Sequence, residues 1–174
     1  PPRSTLSPSP TLFRSALPGH LVLSTLHTND ASGVIARLID MGVPPFLLAS
    51  SLILAQAQRL FRKLCTICKR PCEPDPEVLA ANRIDPALFQ GASLFEPVGC
   101  AKCNGIGYKG RGAIMEVLPI SDNIRAAIVK NAPSSTIREL AVQDGMVTLK
   151  EAGILKVLNG ITSLSAALEV TGGE

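Results

Sequence analysis

Apolar and polar positions fall into an order that predicts structure only from Leu21 onward. Leu21-Val22-Leu23-Ser24-Thr25-Leu26 is a short, mostly apolar run, as a buried strand of a parallel sheet shows. Asn29 or Asp30 then caps a helix through Val34, Ile35, Leu38 and Ile39, with Gly42 as its stop. Pro44-Pro45 stands where a second helix would open. That helix carries Leu47, Leu48, Leu52, Ile53 and Leu54 and turns basic toward Arg62, a placement its dipole favours. A strand followed by helices predicts an α/β fragment.

Residues 63–112 have a different texture. Gly99, Gly105, Gly107, Gly110 and Gly112 make their second half a tight, turn-rich knuckle, and one short helix is predicted over Pro76 to Asn82. A strand is predicted for Ala113 to Leu118, and the remainder to residue 174 is mainly helical. There, Thr136-Ile137-Arg138-Glu139 and Thr148-Leu149-Lys150-Glu151 both fit the capping box. Gly145 and Gly160 end segments, and a last helix is predicted from Ser163 to Val170. Ahead of all this, Pro1, Pro2, Pro8, Pro10 and Pro18 alternate with Ser, Thr and Arg. That composition predicts a disordered leader, or a stretch foreign to the rest such as a shifted reading frame leaves. The expected division is leader 1–18, α/β part 19–62, cysteine module 63–112 and helical part 113–174.

Composition narrows the core and the function classes. In a chain of 174 residues, 46% are apolar but only 3% aromatic, so the core is built from Leu, Ile, Val and Ala. The net charge of +3 is modest, and aromatic residues interleaved with basic ones, as stacking on nucleic acid requires, are lacking. No nucleic-acid partner is expected. The most apolar segment, Phe46 to Ala57, already contains Ser50 and Ser51 and is shorter than the roughly 20 residues of a membrane span.

The chemistry concentrates in cysteines. Cys65-Thr66-Ile67-Cys68 and Cys100-Ala101-Lys102-Cys103 are two tight pairs with 31 residues between them. Each CxxC puts two thiolates within reach of one ion, and two pairs complete a tetrahedral Cys₄ shell for structural Zn²⁺. Closing the loop costs about 3 kcal/mol plus a constant, whereas a structural zinc contributes roughly 10–16 kcal/mol. Arg59, Arg62, Lys63, Lys69 and Arg70 crowd the first pair and Lys102 sits inside the second; their field is expected to favour thiolates. A redox pair would need one CxxC only. Two disulfides fit poorly with an odd count of five cysteines and with an opening stretch that lacks signal-peptide character. A reducing compartment is expected, and Cys72, after Pro71 in a polar stretch, reads as an incidental thiol.

Both histidines lie in Gly19-His20-Leu21-Val22-Leu23-Ser24-Thr25-Leu26-His27-Thr28-Asn29. On a regular strand, positions seven apart face opposite sides, so the rings could not share a ligand unless one lies past the strand end. Thr28, Asn29 and Asp30 gather at the carboxyl end, where α/β sheets place their binding crevices.

At this point a resemblance becomes specific. GHLVLSTLHTNDA resembles the His box of the secretion ATPases, the motors of type II secretion and type IV pilus assembly (GspE/PilB-like). The likeness continues through Arg37-Leu38, Met41-Gly42, Ala57-Gln58-Arg59-Leu60, both cysteine pairs, Gly107-Tyr108-Lys109-Gly110-Arg111 and Gly160-Ile161-Thr162-Ser163-Leu164. The resemblance implies an α/β fold in which 19–62 is a remnant of a RecA-like P-loop NTPase domain, followed by a Cys₄ zinc module and a helical C-terminal subdomain. It implies that His20, His27 and Arg59 lie near the nucleotide or the subunit interface, and that Cys65, Cys68, Cys100 and Cys103 bind zinc. It further implies ATP and Mg²⁺ in the full-length context, a homohexamer, an inner-membrane platform protein as partner, and a cytoplasmic, peripheral place at the inner membrane. The cysteine pairs point to the assembly and secretion branch rather than to the retraction motors.

The departures are equally informative. GxxxxGK[ST] occurs nowhere in the sequence, so no loop cradles phosphates. The family's acidic box belongs upstream of His20, where Pro1 to Gly19 contain no acid. The chain is therefore expected to be a C-terminal fragment that does not hydrolyse ATP alone, with apolar surface exposed where sheet neighbours are missing. Cys100 to Gly107 also fits CxxCxGxG, a repeat of chaperone zinc modules, so a non-enzymatic adaptor or chaperone is the alternative. A zinc-ribbon nucleic-acid binder using Arg59 to Arg70 is another.

Overall fold

Burial alternates along β4 (Tyr108–Pro119), with Ile114, Glu116 and Leu118 buried and Met115, Val117 and Pro119 exposed. This period of two is the signature of a strand covered on one face. β4 pairs with β1 (Leu54–Leu64), whose Ala55, Ala57, Phe61 and Leu64 are buried. The computed structural model describes residues 20–172; the leader expected over 1–18 lies outside the described residues. The chain divides into two compact units, each built from two separate stretches: 20–57 with 116–147, and 58–115 with 148–172.

In the first unit, His20 to Thr28 have no regular secondary structure, so the strand predicted at Leu21–Leu26 does not form. A strand exists through its ladder with a neighbour, and the sheets among the described residues pair only β1 with β4 and β2 with β3. Leu21 and Leu23 are consequently 79% and 87% exposed. Helix α1 (Gly33–Asp40) follows, and Val34, Ile35 and Leu38 are its buried stripe. Gly42 ends it as predicted: Gly42 N–H bonds Ile39 O at 2.8 Å and Val43 N–H bonds Leu38 O at 3.1 Å, a Schellman closure.

Helix α2 (Pro45–Ser51) begins on proline but stops well short of Arg62, since Leu52 is extended. The single long helix predicted to open at Pro44-Pro45 and run toward Arg62 is thus a helix and then β1. Ala, Gln and Arg favour helices by intrinsic propensity, yet Ala55-Gln56-Ala57-Gln58 also alternates in burial, and pairing with β4 wins. Helix α4 (Asp122–Val129) packs on α2, and α5 (Ser134–Gln143) packs on α4. The Arg125 guanidinium donates to the Ala49 carbonyl near the end of α2. The capping box predicted at Thr136 is not used. Pro133, at φ −62°, starts α5 ahead of it and leaves Thr136 inside the helix.

The second unit holds a short antiparallel pair, β2 (Arg70–Cys72) with β3 (Leu94–Glu96), in which Pro71 faces Phe95. Helix α3 (Pro76–Ala81) lies where one was predicted, with Asp75 accepting from Glu77 N–H. Helix α6 (Leu149–Leu158) carries the second predicted capping box: Thr148 N–H donates to Glu151 and Glu151 N–H donates to Thr148. Helix α7 (Leu164–Thr171) is capped by Ser163. Leu79, Ile84, Phe89, Leu94, Ile154, Val157 and Ala167 form one apolar core here, with Cys72 against it. No helix among the described residues is long and apolar enough to cross a membrane.

Candidate metal centre and the histidine segment

β1 delivers the first cysteine pair. Its last residue is tied down by Leu64 N–H to Ile161 O, and Cys65 N–H bonds Gly107 O, both at 2.9 Å. The chain then turns tightly, Lys69 N–H reaching back to Cys65 O at 3.1 Å. The second pair sits on a 3₁₀ turn (Ala101–Cys103), closed by Asn104 in the left-handed conformation. Two glycines make this approach feasible. Gly99 has φ +111° and a Cβ there would strike the Gly105 carbonyl, while at Gly107 (φ +76°) a Cβ would come within 2.5 Å of Pro97.

The result is one cluster. All four Sγ atoms of Cys65, Cys68, Cys100 and Cys103 lie within 4.8 Å of one another. Cys65–Cys100 is 3.9 Å, Cys68–Cys103 3.8 Å and Cys100–Cys103 3.8 Å. A tetrahedron with Zn–S bonds of about 2.3 Å has edges of about 3.8 Å, so the donor set fits zinc. Four protein sulfurs fill the shell and leave no open position for a reacting water, which is a structural rather than a catalytic pattern. Cys72 stands outside this cluster, half-buried on β2; burial raises its thiol above the usual range, with Glu96 adding to the effect.

Burial and backbone amides, not the basic side chains, set the balance at the sulfurs. Gly99 N–H points at Cys68 Sγ (3.3 Å), and Cys100 N–H and Gly107 N–H both point at Cys103 Sγ (3.2 Å). Burial pushes Cys103 up, but the amides of Cys100 and Gly107 outweigh it and hold the thiol at about 6. Cys65 is lowered, mainly by the Ile67 amide, whereas burial raises Cys68 to about 11. Thiols packed this closely cannot all ionise without a cation between them. Of the cationic side chains expected to supply the field, Lys69 bonds Gly160 O at 2.8 Å and covers the Phe95 ring. Arg62 pairs with Glu169 and stacks over Tyr108, and Arg70 pairs with Glu96. Their work is to join strands and helices of the second unit. The amide donors Gly99 and Gly107 were visible in the sequence only as glycines beside cysteines.

The other residues singled out by sequence lie on other stretches of the chain. His20 and His27 are exposed on the irregular stretch of the first unit, and Arg59 is half-buried on β1 in the second. Because the stretch is irregular, the strand-parity argument about its two rings does not apply. Asp30 is the functional cap of α1: its Oδ1 accepts Gly33 N–H at 2.6 Å and the Ser32 hydroxyl at 3.0 Å. Glu116, which sequence reasoning passed over, is 1% exposed and accepts Ala31 N–H at 2.8 Å. Its signal was a carboxylate at the middle of an alternating apolar row.

Comparison with known proteins decides the family. Residues 9–169 match the family described as Type II/IV secretion system protein, a match that begins inside the Pro/Ser-rich opening. The chain belongs to that family. Over 157 residues it is 48% identical to the type IV pilus assembly ATPase PilB of Thermus thermophilus, covering 90% of this chain and 18% of that protein. Over 158 residues it is 44% identical to the type II secretion system protein E of Klebsiella pneumoniae, covering 91% of this chain and 31% of that one. The chain thus spans less than a third of the length of these family members. Among solved structures, the pilus retraction motor PilT with bound ADP aligns with a TM-score of 0.59 at 22% identity, over 92% of this chain and 35% of that one. The Legionella pneumophila ATPase DotB aligns with a TM-score of 0.56 at 16% identity, over 93% and 34%. These two likenesses show a shared fold.

Proposed function

We propose that this chain is the C-terminal portion of a hexameric ATPase that powers type IV pilus assembly or type II secretion. Residues 19–62 are then a remnant of the RecA-like domain, 63–112 a zinc module, and 113–174 the helical C-terminal part. Cys65, Cys68, Cys100 and Cys103 hold a structural Zn²⁺ that keeps the two knuckles together. His20, His27 and Arg59 stand near the nucleotide or the subunit interface of the complete motor, where ATP and Mg²⁺ are bound. The complete motor works at the cytoplasmic face of the inner membrane against a platform protein, and nucleic acid has no part in it. With GxxxxGK[ST] absent from the sequence, the chain alone is inactive.

The observation that supports this most is the convergence of four sulfurs within 4.8 Å in a chain that matches the secretion family over 9–169. The test has two parts. Zinc is counted on chain purified under reducing conditions without added metal, and one ion per chain is expected. ATP hydrolysis and particle mass are then compared for the chain and for a full-length subunit containing it. Hydrolysis and a hexamer confined to the full-length subunit are expected. Zinc-free chain, or salt-sensitive binding to RNA or DNA by the chain, would sink the reading in favour of an adaptor or a nucleic-acid binder.

A further inference from the structure

The first unit contains a buried carboxylate for which the motor reading has no use. Period two along β4 puts Glu116 in a row with Ile114 and Leu118, and both of these are 0% exposed. A carboxylate in such a row is costly unless polar groups satisfy it. Its Oε1 accepts the Ala31 N–H at 2.8 Å across a separation of 85 residues. Ala31 and Ser32 are themselves buried, although the His27 and Asn29 side chains just ahead are exposed. The turn into α1 is therefore held by two carboxylates. Asp30 acts locally on Ser32 and Gly33 and sets the shape of the turn. Glu116, on a distant strand, sets where the turn sits.

We propose that Glu116 is the positioning residue of the histidine segment, fixing His27-Thr28-Asn29-Asp30 through the Ala31 amide so that His27 is correctly placed for the nucleotide. This rests on the reading of His27 given above. Nothing covalent changes: a hydrogen bond holds the downstream end of the segment, four residues from His27. Losing the acceptor frees that end while leaving the local Asp30 turn intact.

The test uses Glu116→Ala and Glu116→Gln, the latter keeping an acceptor oxygen of the same reach. In the chain, amide hydrogen exchange at residues 31–35 should speed up about tenfold or more in Glu116→Ala and return close to the parent rate in Glu116→Gln. In a full-length subunit containing the chain, kcat for ATP hydrolysis should fall about ten- to a hundredfold in Glu116→Ala, with most of it recovered in Glu116→Gln. Should Glu116→Ala not fold, Glu116→Met, of similar length but without an acceptor, takes its place. Unchanged exchange at 31–35, or acceleration spread equally over α4, overturns the proposal. So does a local exchange effect without loss of kcat when His27→Ala does lower kcat. If His27→Ala also leaves kcat unchanged, the nucleotide reading has failed and takes the proposal with it, a result that the exchange data tell apart from failure of the anchor.

Discussion

In the unit made of 58–115 with 148–172, four sulfurs converge within 4.8 Å. In the unit made of 20–57 with 116–147, the two histidines stand exposed on a stretch without regular structure. The difference lies in where each group finds its support. The four clustered cysteines sit on turns only a few residues long, and amides of the two knuckles point at Cys68 and Cys103 Sγ, so the cluster needs little beyond its own loops. The histidine segment has the composition of a strand, and a strand is made by its neighbours. Its downstream end is tied to a distant strand through the Ala31 amide.

That contrast can be broken or sharpened by experiment. The largest effect is expected from metal: chelation, or Cys65→Ser in protein that carries zinc, should remove much of the roughly 10–16 kcal/mol a structural ion supplies. Hydrogen exchange should then accelerate across 58–115 well before it does across 20–57. Equal protection with and without chelator would show that the sulfurs are not a metal centre. The first unit depends on ordinary packing instead. Ile128→Ala, at a fully buried position of α4, should cost about 2–5 kcal/mol by urea titration, with zinc content unchanged; loss of zinc would contradict the division. Gly99→Ala should cost about 1–3 kcal/mol, because its φ of +111° is one L side chains avoid, and zinc should be retained less tightly against a competing chelator. The smallest effect separates two identical-looking signals. Thr148→Ala should cost about 1 kcal/mol and Thr136→Ala less than about 0.5 kcal/mol; equal losses would mean that the two threonines do the same work.

The sequence was most readable where structure is local. The cysteine pairs, the short helix at Pro76–Ala81, the Thr148–Glu151 box and the start of the last helix at Ser163 each depend on residues within one turn of each other, and all appear. It was least readable where a distant partner decides. Leu21–Leu26 looks like a strand but has no ladder among the described residues. Ala55-Gln56-Ala57-Gln58 looks helical but is drawn into pairing with β4. Thr136-Ile137-Arg138-Glu139 is a sound cap pattern overtaken by Pro133 upstream. Glu116 could be noticed only once β4 had a buried face and Ala31 an amide aimed at it.

The interleaving of the two units also governs the order in which the ribosome can complete them. The unit that begins at residue 20 cannot close until residue 147 has been made, and by then every cysteine of the other unit has left the tunnel. The four cysteines of the cluster have all been made once Cys103 has emerged, before α6 and α7 exist to complete that core. A nascent chain that captured an ion then would have its 31-residue loop shut while both units were still open. Metal supply during synthesis would thereby bear on the yield of folded protein more than metal supply afterwards.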